Sequence, residues 1–140
     1  MAEQHTAIEQ AHILIVEDEE NNRLIAVKLL QLAGVPLPNI FTVESNPTPF
    51  LQNFSGKIDL ILLDIQLPGK DGYKVLKELR QNPQLMGVPI IAMTANVMKT
   101  DIEKMRKAQF DGLIGKPINA YRFSEWIKRI LAGETVWTSS

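Results

Sequence analysis

Short, uninterrupted apolar segments recur along this chain, and they constrain its fold more than any other feature. Residues 13–16 (Ile-Leu-Ile-Val) and 60–63 (Leu-Ile-Leu-Leu) are the clearest examples. Runs of this length are typical of strands that are buried on both faces of a parallel sheet. The pattern predicts five strands, over residues 12–16, 39–43, 60–64, 89–94 and 113–115.

Amphipathic helical patterns separate the predicted strands. The first helix is expected to bury Ile25, Leu29 and Leu32, with Asn21 or Asn22 as its N-cap and Gly34 as its stop. The second is a short helix around Leu51. The apolar stripes of the later helices are Val75, Leu76 and Leu79; Met98, Ile102 and Met105; and Phe123, Ile127 and Ile130.

Strict alternation of five strands with five helices predicts an α/β fold. With right-handed crossovers, the expected architecture is a (βα)5 doubly wound five-stranded parallel sheet of order 2-1-3-4-5, the flavodoxin-like arrangement. Residues 1–11 are then an N-terminal extension, residues 12–132 a single domain, and residues 133–140 a C-terminal tail. Ligands of such sheets bind outside the carboxyl ends of the strands, at the switch point between strands one and three.

Composition excludes several classes of function. The 140 residues are enough for one domain, and the net charge of -1 gives no electrostatic basis for binding nucleic acid or an anionic membrane. The absence of cysteine rules out thiol catalysis and thiolate metal sites. Without a secretory signal or an apolar run of about 20 residues, we expect a cytoplasmic protein.

Charged residues follow the predicted strands at the edge where a ligand would bind. Glu17 and Asp18 come after strand one, Asp64 ends strand three, and Lys116 follows strand five. Carboxylates about 4 Å apart repel by roughly 4 kcal/mol at an effective dielectric constant of about 20, so a cation or a proton must accompany them. An oxygen-only donor set favours Mg²⁺, with Ca²⁺ and Mn²⁺ as alternatives.

The same edge has the groups needed for phosphoryl transfer. An aspartate carboxylate is a competent nucleophile toward phosphorus, and Asp64 stands alone at the end of the central strand. Lys116 is a point-charge partner for a phosphoryl group, while the hydroxyl of Thr94 and the N–H of Ala95 are hydrogen-bond donors. Each of these residues taken alone has an ordinary structural explanation, so the prediction depends on their joint placement.

As a set, these motifs resemble the receiver domain of two-component response regulators. The matching segments are Ile-Val-Glu17-Asp18, Leu-Leu-Asp64-Ile-Gln-Leu-Pro68-Gly-Lys-Asp-Gly72, Met-Thr94-Ala95 and Gly-Lys116-Pro117. The resemblance implies that Asp64 accepts a phosphoryl group from a histidine kinase or a histidine phosphotransfer protein. It further implies that Mg²⁺ binds Glu17, Asp18, Asp64 and the backbone carbonyl of Gln66, that Thr94 and Lys116 hold the phosphoryl group, and that the Lys116–Pro117 bond is cis.

The resemblance leaves the output open. The family often has an aromatic residue three positions before the lysine, where this chain has Leu113. The length suits a stand-alone receiver, as in cell-cycle control, or a receiver of a hybrid kinase. We expect signalling through an unknown protein partner or a homodimer, with slow self-phosphorylation and self-dephosphorylation rather than metabolic catalysis; the alternative is a constitutive scaffold that needs no phosphorylation.

Two surfaces, formed by three of the helices, are the expected partner sites. The first helix has more apolar residues than one core face needs, so part of it is predicted to dock a helix of the phosphoryl donor. The fourth and fifth helices have basic residues that suit an acidic partner or a second copy. These basic residues are Lys99, Lys104, Arg106, Lys107, Arg122, Lys128 and Arg129.

Overall fold

The computed structural model describes residues 6–67, 70–95 and 98–138 of the 140-residue chain. Pro68 and Gly69 of the motif that follows Asp64 lie outside the described residues. The strands are β1 (Ile13–Val16), β2 (Ile40–Val43), β3 (Leu60–Asp64), β4 (Gln66–Leu67), β5 (Lys70–Asp71), β6 (Ile90–Thr94), β7 (Gly112–Gly115) and β8 (Trp137–Thr138). The α-helices are α1 (Glu20–Ala33), α2 (Thr48–Asn53), α3 (Gly72–Arg80), α4 (Lys99–Lys107) and α5 (Ala120–Leu131).

The main sheet is parallel and has the strand order β2-β1-β3-β6-β7-β8. Its first five strands confirm the predicted 2-1-3-4-5 order. The sixth strand, β8, lies within the segment predicted to be a tail and extends the sheet beyond β7. The short strands β4 and β5 form a separate antiparallel pair, although the Pro-Gly and Asp-Gly pairs of this segment are typical of a loop.

Two hydrophobic layers enclose the sheet. Along β1, Ile13 and Ile15 face the layer that contains α1 and α5, whereas Leu14 and Val16 face the layer that contains α3 and α4. Every residue of β1, β3, β6 and β7 is buried, as expected of strands covered on both faces. The core thus fixes the strand ends, and with them the positions of the charged residues that follow.

The buried face of α1 differs from the prediction. Ala26, Leu30 and Ala33 are buried, while Ile25 and Leu32 are exposed and Leu29 is partly buried. Apolar residues surround most of this helix, so the helical period alone does not select the face that meets the sheet. The N-cap prediction is also wrong: the Glu19 carboxylate accepts a hydrogen bond from the N–H of Asn22 at 3.1 Å.

Helix α4 begins later than its apolar stripe suggested. Met105 is buried and Ile102 is partly buried, but Met98 precedes the helix and is 70% exposed. The predicted stripes of α3 and α5 are confirmed as buried. Among the described residues, no helix has the length and apolar content needed to cross a bilayer.

Candidate functional site

Four strands deliver the predicted site residues to one edge of the sheet. Asp64 is the last residue of β3, and Thr94 is the last residue of β6. Glu17 and Asp18 follow β1, whose Val16 is paired with Leu63. Lys116 follows β7, and its N–H donates a hydrogen bond to the Thr94 carbonyl at 2.9 Å. The residues converge because parallel strands end at the same edge.

Three carboxylates form a compact acidic cluster at this edge. One oxygen from each of Glu17, Asp18 and Asp64 lies within 4.8 Å of the others. Glu17 and Asp64 are only 1% and 5% exposed, whereas Asp18 is partly exposed. Oxygen donors at this spacing, open to solvent on the Asp18 side, suit Mg²⁺, which binds through a few carboxylates and retains water.

Lys116 contacts two of the three carboxylates of the cluster. Its ammonium nitrogen lies 2.7 Å from Oε1 of Glu17 and 3.4 Å from Oδ2 of Asp64. The lysine side chain is 17% exposed, so these contacts are made with little water around them. The Lys116–Pro117 peptide bond is cis, as the resemblance implied. One cation therefore lies between the two buried carboxylates.

The environment of Asp64 raises the pKa of its carboxyl above the ordinary value. Burial raises the pKa of Asp64 from 3.8 to about 6, and the nearby Glu17 carboxylate adds to the increase. Two contacts lower the pKa of this carboxyl: a hydrogen bond from the Gln66 N–H to Oδ1 at 3.0 Å, and the ammonium of Lys116. A further cation would hold the carboxylate ionised, which is the form that attacks phosphorus.

Arg23 is a site component that the sequence analysis missed. Its Nη1 donates hydrogen bonds to the backbone carbonyls of Glu17 at 3.0 Å and Asp18 at 2.9 Å. The Glu19 N–H donates to Oε2 of Glu17 at 3.2 Å, so the turn that presents the two acids is held from both sides. An arginine in the first turn of an amphipathic helix gives no sequence signal of this role.

Gly72 packs closely against Ile65, the residue that follows Asp64. Its N–H donates to the carbonyl of Ile65 at 3.1 Å, and a Cβ at this position would lie 2.5 Å from the Ile65 Cα. An Asp-Gly pair is most simply read from sequence as a turn. Instead, Oδ1 of Asp71 caps α3 by accepting from the Tyr73 N–H at 2.9 Å, and Gly72 permits the close approach to Ile65.

A family model described as the response regulator receiver domain matches residues 13–128. The matched span includes all of the predicted site residues. The chain belongs to the response-regulator receiver family. This receiver is 38% identical over 119 residues to the polar-differentiation response regulator DivK of Brucella anthropi, in an alignment that covers 85% of this chain and 94% of DivK.

Two further comparisons show receivers in different settings. The receiver is 34% identical over 120 residues to hybrid signal transduction histidine kinase L of Dictyostelium discoideum, and it spans only 7% of that protein. The receiver domain of sensor histidine kinase PA1611 from Pseudomonas aeruginosa has a solved structure that matches with a TM-score of 0.70 and 28% identity, covering 87% of this chain and 97% of that one. Similar receivers thus occur in both short regulators and large kinases.

Proposed function

We propose that this receiver accepts a phosphoryl group on Asp64 and signals through phosphorylation-dependent protein binding. The observation that carries the proposal is the buried Asp64 carboxylate, which lies beside two other carboxylates and within 3.4 Å of the Lys116 ammonium. This arrangement places a nucleophile, cation ligands and a phosphate-binding ammonium in one pocket.

The donor set fits Mg²⁺. The carboxylates of Glu17, Asp18 and Asp64 would hold the ion, with the backbone carbonyl of Gln66 as a further ligand. The PA1611 receiver was solved with a magnesium ion coordinated in its active-site cleft. When bound, Mg²⁺ would neutralise charge on the oxygens of the transferring phosphoryl group.

The residues of the chain account for the rest of the transfer. A carboxylate oxygen of Asp64 attacks the phosphorus of a phosphohistidine on a kinase or phosphotransfer protein. The O–P bond forms as the P–N bond breaks, and the electron pair remains on the imidazole nitrogen. The Lys116 ammonium and the Thr94 hydroxyl then stabilise the phosphoryl oxygens. Gln66 offers no carboxylate for acid–base turnover, so the site works as a slow switch and not as a metabolic phosphatase.

Helix α1 is the proposed contact for the phosphoryl donor. It begins two residues after Asp18 and exposes Leu24, Ile25 and Leu32, at 60%, 51% and 73%. Exposed apolar side chains at helical spacing suit the apolar face of a partner helix. Helix α1 starts beside the turn that presents Glu17 and Asp18, and its Arg23 holds that turn. A donor docked on this helix would therefore bring its phosphohistidine close to the pocket.

Intact-mass measurement after incubation with acetyl phosphate tests the proposal. We expect wild type to gain one phosphoryl group in Mg²⁺ and much less in EDTA, and Asp64→Asn to gain none. The matched control is Glu20→Gln, which neutralises an exposed acid at the start of α1 and should label like wild type.

Absence of labelling in wild type, under conditions that label another receiver, would contradict phosphorylation of Asp64. It would favour the alternative function, a scaffold that binds partners without phosphorylation. Labelling that persists in Asp64→Asn would move the acceptor to another residue.

A further inference from the structure

The C-terminal strap, residues 134–138, covers a strand that would otherwise form the edge of the sheet. Strand β8 pairs in parallel with β7, matching Trp137 with Leu113 and Thr138 with Ile114. The N–H of Leu113 donates to the carbonyl of Val136 at 2.8 Å. The exposed edge of a sheet is a template for pairing with another extended segment, and here the chain supplies that segment itself.

The floor of this groove is shaped for a backbone. A Cβ at Gly112 would lie 2.4 Å from the carbonyl oxygen of Val136, so a glycine is needed for the close approach. The Val136 side chain is 4% exposed and packs with the core layer that includes Ile114 and Ile130. The groove therefore accepts an extended chain that carries a small branched apolar side chain at this position.

Two basic residues bind the strap from either side. On α5, Nε of Arg129 lies 3.0 Å from Oε1 of Glu134. On α4, the Arg106 guanidinium lies 4.2 Å from the centroid of the Trp137 ring. An acidic residue and, three positions later, an aromatic residue thus complement the two helices.

The charge of the surrounding surface favours an acidic occupant. Helix α4 contains four basic and two acidic residues, and α5 contains three basic and one acidic. The two helices together have a net charge of +4 in a chain with a net charge of -1. Such a separated charge attracts an acidic segment and orients its approach.

We propose that β7, α4 and α5 form a docking groove for an extended acidic segment of a partner protein, and that the C-terminal strap occupies this groove as a built-in competitor. The strap is short: it contributes a two-residue strand, the buried Val136 side chain, the Glu134–Arg129 ion pair, and Trp137, which lies against Arg106 and packs on the core layer of α3 and α4. A partner segment with the pattern acidic-x-branched-aromatic would make the same contacts in trans. The proposal does not require phosphorylation of Asp64.

Fluorescence anisotropy with a labelled peptide of residues 133–140 tests the groove on the full, unphosphorylated chain. The strap is weakened by the double substitution Glu134→Ala/Trp137→Ala, which changes only exposed or partly exposed side chains. We expect this variant to bind the peptide about tenfold more tightly than wild type, because it has lost the competing ion pair and cation–π contact. Thr135→Ala, an exposed change in the same segment, is the matched control and should bind like wild type.

Two further substitutions establish where the peptide binds. Adding Gly112→Ala to the weakened variant should abolish binding, because the new Cβ takes the place of the peptide carbonyl. A peptide with Glu134→Lys and Trp137→Ala should also fail to bind. Circular dichroism confirms that each protein variant is folded.

Equal peptide affinity in wild type and a folded, strap-weakened variant would overturn the proposal. Binding that survives Gly112→Ala would do the same. Light scattering tests whether the occupant of the groove is instead the strap of a second copy. We expect the protein to be a monomer at all concentrations. A dimer that forms only when the strap is intact would overturn the proposal and show that two copies exchange their straps.

Discussion

Burial of Asp64 in the folded protein raises the pKa of its carboxyl. The carboxyl is 5% exposed, and its pKa rises from 3.8 to about 6 even though the Lys116 ammonium lowers that pKa. A group with a raised pKa binds its proton more tightly in the folded state than in the unfolded state. Ionising this carboxyl at neutral pH therefore costs stability, and under the proposed function a bound Mg²⁺ would recover part of that cost.

Asp64→Asn should stabilise the protein in a pH-dependent way in the absence of Mg²⁺. The cost of ionising Asp64 accumulates as pH rises from about 4 to about 6, and it persists above that range. The variant should have a higher free energy of unfolding than wild type at pH 8, and the difference should vanish near pH 4. Urea unfolding in EDTA at both pH values measures this, and a difference independent of pH would contradict it.

Gly72 is a residue whose importance comes from a neighbouring backbone. Gly72→Ala should lower the free energy of unfolding by about 1–3 kcal/mol, because the Cβ would overlap the Cα and carbonyl of Ile65. Better helix propensity at this first position of α3 offsets less than about 1 kcal/mol. Chemical denaturation measures the loss.

The matched control for Gly72→Ala is Gly56→Ala. There the new Cβ would meet only the side chain of the partly buried Phe54 and no backbone atom, so we expect a smaller loss of stability. Equal losses at the two positions would show that backbone crowding at Ile65 is not the cause.

At the scale of elements, α1 serves the core and the surface with different faces. Ala26 and Leu30 lie against the sheet, Arg23 reaches back to the acidic turn, and Leu24 and Ile25 face outward. Two of the three buried residues of α1, Ala26 and Ala33, are small, whereas three large apolar side chains lie on its exposed face. This division is consistent with the proposed role of α1 in donor binding.

Leu24→Glu or Ile25→Glu should slow phosphotransfer from the cognate phosphohistidine donor by about tenfold or more, as expected when a charge replaces an apolar contact at an interface. Labelling by acetyl phosphate should remain unchanged, because that small donor needs no helix contact. Rapid-quench transfer assays and intact-mass labelling measure the two reactions.

Leu37→Glu is the control for the α1 substitutions. Leu37 is an exposed leucine, 55% accessible, in the 3-10 turn that follows α1. The Leu37→Glu variant should accept the phosphoryl group from the donor at the wild-type rate. Equal loss of both reactions in the α1 variants would indicate damage to the pocket rather than to a docking surface.

At the scale of the whole molecule, the acidic cluster connects the ends of β1 and β3 at the centre of the sheet. These strands are neighbours in the main sheet, and both are buried throughout. A cation that binds the folded cluster and not the unfolded chain stabilises the entire domain. Metal binding should therefore be detectable as a change in global unfolding.

Mg²⁺ at 100 times its dissociation constant should raise the free energy of unfolding by about 2.7 kcal/mol. Asp18→Asn should lose most of this gain, whereas Glu20→Gln, which changes an exposed acid outside the cluster, should keep it. Thermal unfolding with and without EDTA makes the comparison. An equal Mg²⁺ effect in wild type and Asp18→Asn would exclude the cluster as the site.

The sequence determined the strands and the chemistry at their ends. Buried parallel strands leave a continuous apolar signature, and the residue after each strand must emerge at one edge, so the convergence of Asp18, Asp64 and Lys116 followed from local pattern and topology. The fold class and strand order could be predicted for the same reason. Gly34 was also correctly predicted as the end of α1, since its φ of +116° favours glycine.

Only the tertiary structure decided the features that depend on what packs against what. Apolar residues surround α1, so the sheet selected Ala26 and Leu30 as its buried face. Arg23 acts through the backbone carbonyls of Glu17 and Asp18, and backbone groups carry no sequence signal. The C-terminal strap pairs with β7 through a strand of two residues, β8, which is too short to show a period. The local sequence sets which secondary structure each segment prefers. Which faces and segments pack together is decided by the free energy of the assembled core.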